Sequence, residues 1–237
     1  MSFDSLGGTA ALSSSGRAGA ELARMPAPQS THTLTVVHRD EALLVIDKPS
    51  GLLSVPGRGA DLQDCVARRA QAEFADALVV HRLDMATSGL MLFARGAEAQ
   101  RRLSRAFAQR EVHKRYVAVV HGRVEPAQGE IDLPLIADWP RRPLQKVDPD
   151  HGRPSLTRYR TILVEGDRTR LELEPVTGRA HQLRVHLLAI GHAIVGDALY
   201  APELISGTDR LLLHATQLRF VHPTSGAPMA IDAAVPF

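Results

Sequence analysis

The chain has one cysteine, Cys65, in 237 residues, so it forms no internal disulfide and builds no cysteine-rich metal site. Within Leu62-Gln63-Asp64-Cys65-Val66-Ala67, read as helical, that thiol is expected to pack as a small hydrophobe. No apolar run reaches the length of a membrane span. The first 30 residues lack a basic start followed by an apolar core, which leaves no secretory signal and points to the cytoplasm. There is no H-E-x-x-H, no Cys–His cluster and no G-x-x-x-x-G-K-[ST], which removes zinc hydrolases and phosphate-cradling loops from consideration. His181 and His186, five apart on an expected helix, stand about 140° apart around its axis and do not share a face. His81 and His181 are read instead as hydrogen-bonding orienters, and no metal is expected. Lysine is scarce as well: only Lys48, Lys114 and Lys146 among 28 basic side chains, the rest being arginine.

What is present is a chain long enough for one large domain with a sizeable core. The formal charge is only +2, yet the pI is about 9.0 and the cations are clustered. Residues 82–123 carry a net +6 and residues 139–160 a further +4. Clusters of arginine, whose planar fork fits phosphate oxygens and stacks on bases, are an electrostatic footprint for a polyanion. Solvated basic faces would look similar, so charge alone only favours nucleic acid.

Residues 1–31 are rich in Gly, Ala and Ser, with Pro26-Ala27-Pro28 before the first strand pattern, and read as a disordered tail. Residues 32–237 read as one domain. Short β-branched runs dominate it: 34–37, 43–46, 78–80, 90–93, 116–120, 156–164, 170–173 and 211–218. Three stretches read as helices, over 62–74, 98–110 and about 179–190. In the second, Ala99, Leu103, Ala106 and Phe107 share a face while Arg101, Arg102 and Arg105 point elsewhere. The third has Thr177 near its N-cap position and Gly191 just past its end. Many strands with few helices give an α+β fold with a mostly antiparallel sheet.

The most informative stretch is His81-Arg82-Leu83-Asp84-Met85-Ala86-Thr87-Ser88-Gly89. It fills a polar gap between two apolar runs, with a guanidinium and a carboxylate two residues apart at strand ends, where a scaffold can aim them. Four further segments accompany it: Lys48-Pro49-Ser50-Gly51-Leu52-Leu53-Ser54-Val55-Pro56-Gly57, Lys114-Arg115-Tyr116, Gly178-Arg179-Ala180-His181-Gln182-Leu183-Arg184-Val185-His186, and Leu211-Leu212-Leu213-His214-Ala215. Together, in this order, they resemble the pseudouridine synthases of the RluA type, whose signature reads H-R-L-D-x-x-T-S-G. The resemblance covers roughly residues 33–237. Segments 54–58 and 138–143 point within that family to members acting on both rRNA and tRNA.

The resemblance implies a mixed, mostly antiparallel, bent sheet around a central RNA-binding cleft, with Asp84 on its floor. It implies isomerisation of uridine to pseudouridine in RNA without a cofactor, at sites of the uridine 746 type in 23S rRNA and the uridine 32 type in the tRNA anticodon loop. Asp84 is then the catalytic aspartate, Arg184 the cation beside it, and Tyr116 the ring against the uracil. Without the resemblance, Arg184 would read as a snorkelling arginine on a packed helix and Tyr116 as a core tyrosine. Arg82 is implied to enter the stack vacated by the flipped base. Lys114, Arg58, Arg141, Arg142 and Arg179 are the expected further RNA contacts. Many relatives carry a separate N-terminal RNA-binding domain, for which this chain has no room. The expected partner is RNA, not DNA or a membrane, and the expected state is a monomer. Two rival readings are the same chemistry on other large-subunit uridines, and a non-catalytic RNA-binding module that kept the scaffold.

Overall fold

Two apolar runs become strands buried on both faces. They are β2 (Leu43–Lys48) and β4 (Ser88–Arg95), paired antiparallel from Leu43↔Ala94 to Lys48↔Gly89. Leu44, Ile46, Met91 and Phe93 face one cluster, while Leu43, Val45, Leu90, Leu92 and Ala94 face a second. Both faces are covered, so these strands read as continuous apolar runs rather than alternating ones. The computed structural model describes residues 33–205 and 207–237. The tail expected over 1–31 lies outside them.

The other strands are β1 (Thr35–Arg39), β3 (Ala77–Val79), β5 (His113–His121), β6 (Gln128–Asp132), β7 (Leu135–Ala137), β8 (Gln145–Val147), β9 (Leu156–Glu165), β10 (Arg168–Pro175), β11 (Leu213–Val221) and β12 (Pro228–Asp232). Ten of the twelve form one sheet in the order β1-β2-β4-β11-β5-β10-β9-β6, with β3 on β4 and β12 on β11; β7 and β8 make a separate hairpin. Among the described residues only the β4–β11 strand pairing in this sheet is parallel, which makes the sheet mixed and mostly antiparallel. Among the described residues three α-helices, α1 (Val66–Glu73), α2 (Ala97–Ala108) and α3 (Gln182–Ala189), complete an α+β fold. α2 buries Ala99 and Leu103 in the second cluster and leaves Arg101, Arg102 and Arg105 exposed.

Two helix starts differ from the sequence expectation. α1 begins at Val66, because Cys65, fully buried, caps it by accepting the Arg68 N–H at 3.4 Å. Residues 60–62 form a separate 3-10 turn. α3 begins at Gln182 after His181, whose backbone is left-handed at φ 53°. Thr177 is therefore not its cap: its hydroxyl donates to Gln182 Oε1 at 2.7 Å and accepts the Leu156 N–H at 2.9 Å. At the other end Gly191 turns the chain at φ 87°, as expected.

The pairing along β4 creates the place where chemistry can sit. β2 occupies one edge of β4 throughout. On the opposite edge β11 meets only Ser88 and Gly89, and β3 meets only Phe93 to Arg95. The polar stretch 80–87 passes through the gap between them. In that gap His81 Nε2 accepts the Leu92 N–H at 2.9 Å, replacing a strand carbonyl, and the ring stacks on Phe107 at 4.6 Å. Gly89 allows the approach of β11: its φ is +109°, and a methyl group there would overlap the Ala215 backbone.

His81 accepts that N–H only while its ring nitrogen is unprotonated. Burial pushes its pKa from 6.5 down to about 3, helped by the Lys114 charge. The unfolded chain therefore binds the proton more readily, so the stabilisation is complete above pH 6.5 and is lost as the pH falls from 6.5 towards 3. At pH 5 this amounts to about 2 kcal/mol. Thermal melts from about pH 7 to about pH 5 should show the midpoint falling. His81→Gln, whose side-chain oxygen can still accept the Leu92 N–H, should flatten that fall. Equal pH dependence in the two proteins would mean that His81 is not the group that titrates.

Candidate active site

Asp84 opens a tight turn closed by the Thr87 N–H on the Asp84 carbonyl at 3.1 Å. The frame around this turn comes from the segment following β2. Lys48 is fully buried and uses its three ammonium protons on the carbonyls of Pro49 (2.9 Å), Leu52 (2.7 Å) and Met85 (2.9 Å). Ser50 Oγ donates to the Ala86 carbonyl at 2.7 Å, the Gly51 N–H to that of Met85 at 2.9 Å, and Ser54 Oγ to that of Leu83 at 2.6 Å. The carbonyls on both sides of Asp84 are thus held by one segment, which fixes where its carboxylate points. Burial pushes the Lys48 amine down to about 7, and the nearby Asp84 charge works in the opposite direction.

The carboxylate keeps 29 % of its surface exposed, enough for a ligand to reach it, whereas Arg184 beside it keeps 6 %. Arg184 Nη1 lies 3.9 Å from Asp84 Oδ2, and His181 Nε2 lies 3.9 Å from Asp84 Oδ1. Arg184 thus lies beside Asp84, but its tighter partner is one that sequence reasoning missed. Asp197 takes the guanidinium in a fork, Nε–Oδ2 at 2.8 Å and Nη2–Oδ1 at 2.5 Å, and is itself 1 % exposed. Burial opposes the Arg184 charge, and Asp197 with Asp84 outweighs it, so the guanidinium is held more firmly protonated than usual. Asp197 is fixed in turn by the N–H groups of Leu199 and Tyr200, both at 3.1 Å. An Asp between Gly196 and an apolar pair carried the signal of such an Asx-type turn.

Tyr200, also missed, closes the back of the site. Its hydroxyl accepts the Gln145 N–H at 2.8 Å and lies 2.7 Å from His181 Nδ1, while Arg184 covers its ring at 4.9 Å. Burial lowers the His181 pKa, against the pull of Asp84, so the ring carries one proton. The arrangement that satisfies each group has the Tyr200 hydroxyl donating to Nδ1 and the ring N–H on Nε2, facing Asp84. Tyr116, on β5, is buried, and burial together with the Asp84 charge pushes its phenol pKa well above the usual range. Asp84, Tyr116 and Arg184, far apart in sequence, thus converge. A carboxylate, a protonated phenol, a guanidinium and a neutral imidazole around one opening can stabilise charge and move protons.

A model of the RNA pseudouridylate synthase family matches residues 42–189, a span that includes Asp84, Tyr116 and Arg184. The chain belongs to this family. The synthase is 48% identical over 212 residues to the dual-specificity RNA pseudouridine synthase RluA of Escherichia coli strain K12, covering 89% of this chain and 97% of that protein. It is 49% identical over 199 residues to the protein of the same description from Vibrio cholerae, covering 84% and 81%. Among solved structures it resembles human RNA pseudouridylate synthase domain containing 1, with a TM-score of 0.73 and 29% identity over 89% of this chain and 86% of that one. It is an isomerase that acts on RNA.

The remaining expected RNA contacts spread around the site of the synthase rather than entering it. Arg82 is exposed beside Asp84, and Arg58 is exposed on the loop before α1. Arg141 and Arg142 lie between β7 and β8. Arg141 pairs with buried Asp138 at 2.6 Å, and Arg142 lies over the exposed Trp139 ring at 4.0 Å. Gln145, three residues after Arg142, gives its N–H to Tyr200, so this hairpin is anchored to the back of the Asp84 site. Arg179 reaches the Pro154 carbonyl at 3.4 Å, and Lys114 lies beside Gly178. Among the described residues, Asp148, Asp150 and His151 gather three potential metal-ligating atoms. The Asp148 carboxylate, however, already takes the N–H groups of Asp150 and His151 and the Lys146 ammonium. No helix among the described residues is long and apolar enough to cross a membrane.

Proposed function

We propose that this synthase isomerises a uridine in a 23S rRNA stem-loop and another in the tRNA anticodon loop, and that Asp84 is its catalytic carboxylate. The observation that carries the reading is the single accessible carboxylate held between Arg184 and His181 with Tyr116 beside it. The substrate pair rests on the two relatives described as dual-specificity enzymes. The isomerisation breaks the N1–C1′ bond, turns the uracil and joins C5 to C1′. The C5 proton is lost and N1 gains one, so atoms balance without redox chemistry. A carboxylate at the glycosidic centre suits bond cleavage at C1′. A target uridine must leave its stack to meet it, and Arg82, exposed next to Asp84, is placed to fill the vacancy.

Tyr116 offers its ring to the uracil and its hydroxyl to the C5 proton. Its raised pKa makes it a relay rather than a standing base: it hands on its own proton as it takes another. Arg58, Lys114, Arg141, Arg142 and Arg179 contact the RNA backbone around the cleft. Residues 32–237 act as one catalytic domain, the protein works as a monomer, and its place is the cytoplasm with its RNA. Tritium release from RNA labelled at uridine C5 tests the proposal. Both tRNA and 23S fragments carrying the loop should release label. Release from one alone would restrict the substrate range, and release from neither would refute the reading.

A further inference from the structure

One hollow near the site has two cations on its wall, Arg110 and Lys114, that no carboxylate pairs. It has a volume of about 90 Å³ and is bordered by Arg110, Val112, His113, Lys114, Arg158, Glu174, Pro175 and Val176. Glu174 is its one acid, and it lies 3.9 Å from His113. Arg158 is engaged by Glu130 at 2.8 Å. Lys114 and Arg110 are different. Among the described residues neither side chain has an ion pair or a hydrogen bond, although the Lys114 amine is half-buried and feels the Arg110 charge. Arg110 also stands in the left-handed region at φ 62°, a conformation unusual for a long side chain. Two unpaired cations facing one hollow repel each other, and an anion between them would relieve that repulsion.

The position of the hollow identifies the anion. Lys114 and Tyr116 are i and i+2 on β5, on the same face and about 7 Å apart along the strand. Lys114 Nζ lies 3.8 Å from where a side chain on Gly178 would begin, on the loop that leads into α3 and Arg184. Its charge is also felt by His81 at the start of the Asp84 stretch. Thus the three segments that converge on Asp84 also meet at Lys114. A phosphodiester flanking a nucleotide is one sugar away from its base, so a base against Tyr116 would bring its own backbone phosphate within reach of this hollow.

We infer that the hollow faced by Arg110 and Lys114 is a binding subsite for the RNA phosphodiester adjoining the flipped uridine. This rests on the reading of the chain as a uridine isomerase centred on Asp84. Arg110 and Lys114 supply charge-assisted hydrogen bonds to the non-bridging oxygens. The subsite would hold the nucleotide by its backbone while the base is out of the stack, independently of sequence.

Binding to a stem-loop substrate, measured against salt, tests this with wild type, Lys114→Met and Arg110→Asn; asparagine tolerates the left-handed backbone. Each substitution should weaken binding about tenfold. Each should flatten the slope of log affinity against log salt by about one phosphate contact. A series of RNAs with one neutral methylphosphonate at each position near the target uridine then locates the contact. One position should weaken wild type about tenfold yet leave Lys114→Met unaffected, because its partner is already gone. Equal sensitivity of wild type and both variants at every position would overturn the inference. So would inorganic phosphate that shifts the Lys114 amine resonance while no methylphosphonate matters, since the hollow would then serve a free anion. Thermal melts of both variants separate lost folding from lost contact. Wild type that formed no pseudouridine but showed the non-additive position would refute the catalytic reading and leave the subsite standing.

Discussion

Asp84→Asn should form no pseudouridine on any RNA, a loss of more than about 10⁴-fold, beyond what removing an ordinary acid–base group costs. The substitution keeps the shape of the side chain and changes its charge. The turn that carries it is held through backbone carbonyls by Lys48, Ser50, Gly51 and Ser54, none of which bonds the Asp84 carboxylate. Folding should therefore survive. Arg184 does not become an unpaired buried cation either, because the Asp197 fork remains. RNA affinity should change little, since phosphate contacts by arginine and lysine supply most of it. Product analysis, a thermal melt and an RNA binding curve on the same purified variant check all three expectations. Turnover within tenfold of wild type would remove Asp84 from its proposed role.

The parts legible in the sequence are those where one local rule dominates. β2 and β4 show as unbroken apolar runs because both faces are buried, and α2 shows because Ala99 and Leu103 repeat on one face. β6 and β12 do not show. Each buries a single apolar side chain, Ile131 and Ile231. β6 ends the order of the sheet and β12 pairs only with β11, so both gain their register from a neighbouring strand rather than from their own pattern. The hairpin β7–β8 is too short to leave a period at all.

The site divides in the same way. Asp84, Tyr116 and Arg184 are reachable from the sequence because each lies in a string that resembles a family motif. Asp197 and Tyr200 were not, since their partners are 13 and 19 residues away across a tertiary contact. Lys48 was visible as part of a string, but its role was hidden: only the fold reveals that its three donors clamp the loop bearing Asp84. The helical pattern places His181 on the helix, whereas it stands just before it. This left-handed position turns its ring towards both Tyr200 and Asp84.

Arg184→Met should be the most destabilising change at the site. The pair it breaks is almost fully enclosed, with 6 % of the arginine and 1 % of Asp197 exposed. Two charges removed from water are tolerable only because each satisfies the other. Once the cation is gone, the Asp197 carboxylate retains only the N–H groups of Leu199 and Tyr200. Breaking one side of such a pair costs about 3–5 kcal/mol. For a domain of this size that is a fall of roughly 6–20 °C in melting midpoint. Activity should vanish as well, because Asp84 loses the cation 3.9 Å away, but a single variant cannot separate that from lost stability. The double variant Arg184→Met with Asp197→Leu can. Replacing both buried charges by apolar side chains of similar size removes the stranded carboxylate, so most of the melting midpoint should return. Product formation should not return, since Asp84 still lacks its guanidinium. If the double variant recovered both, Arg184 would be a structural partner of Asp197 only, and the charge that serves Asp84 would have to come from His181 or from the RNA complex itself.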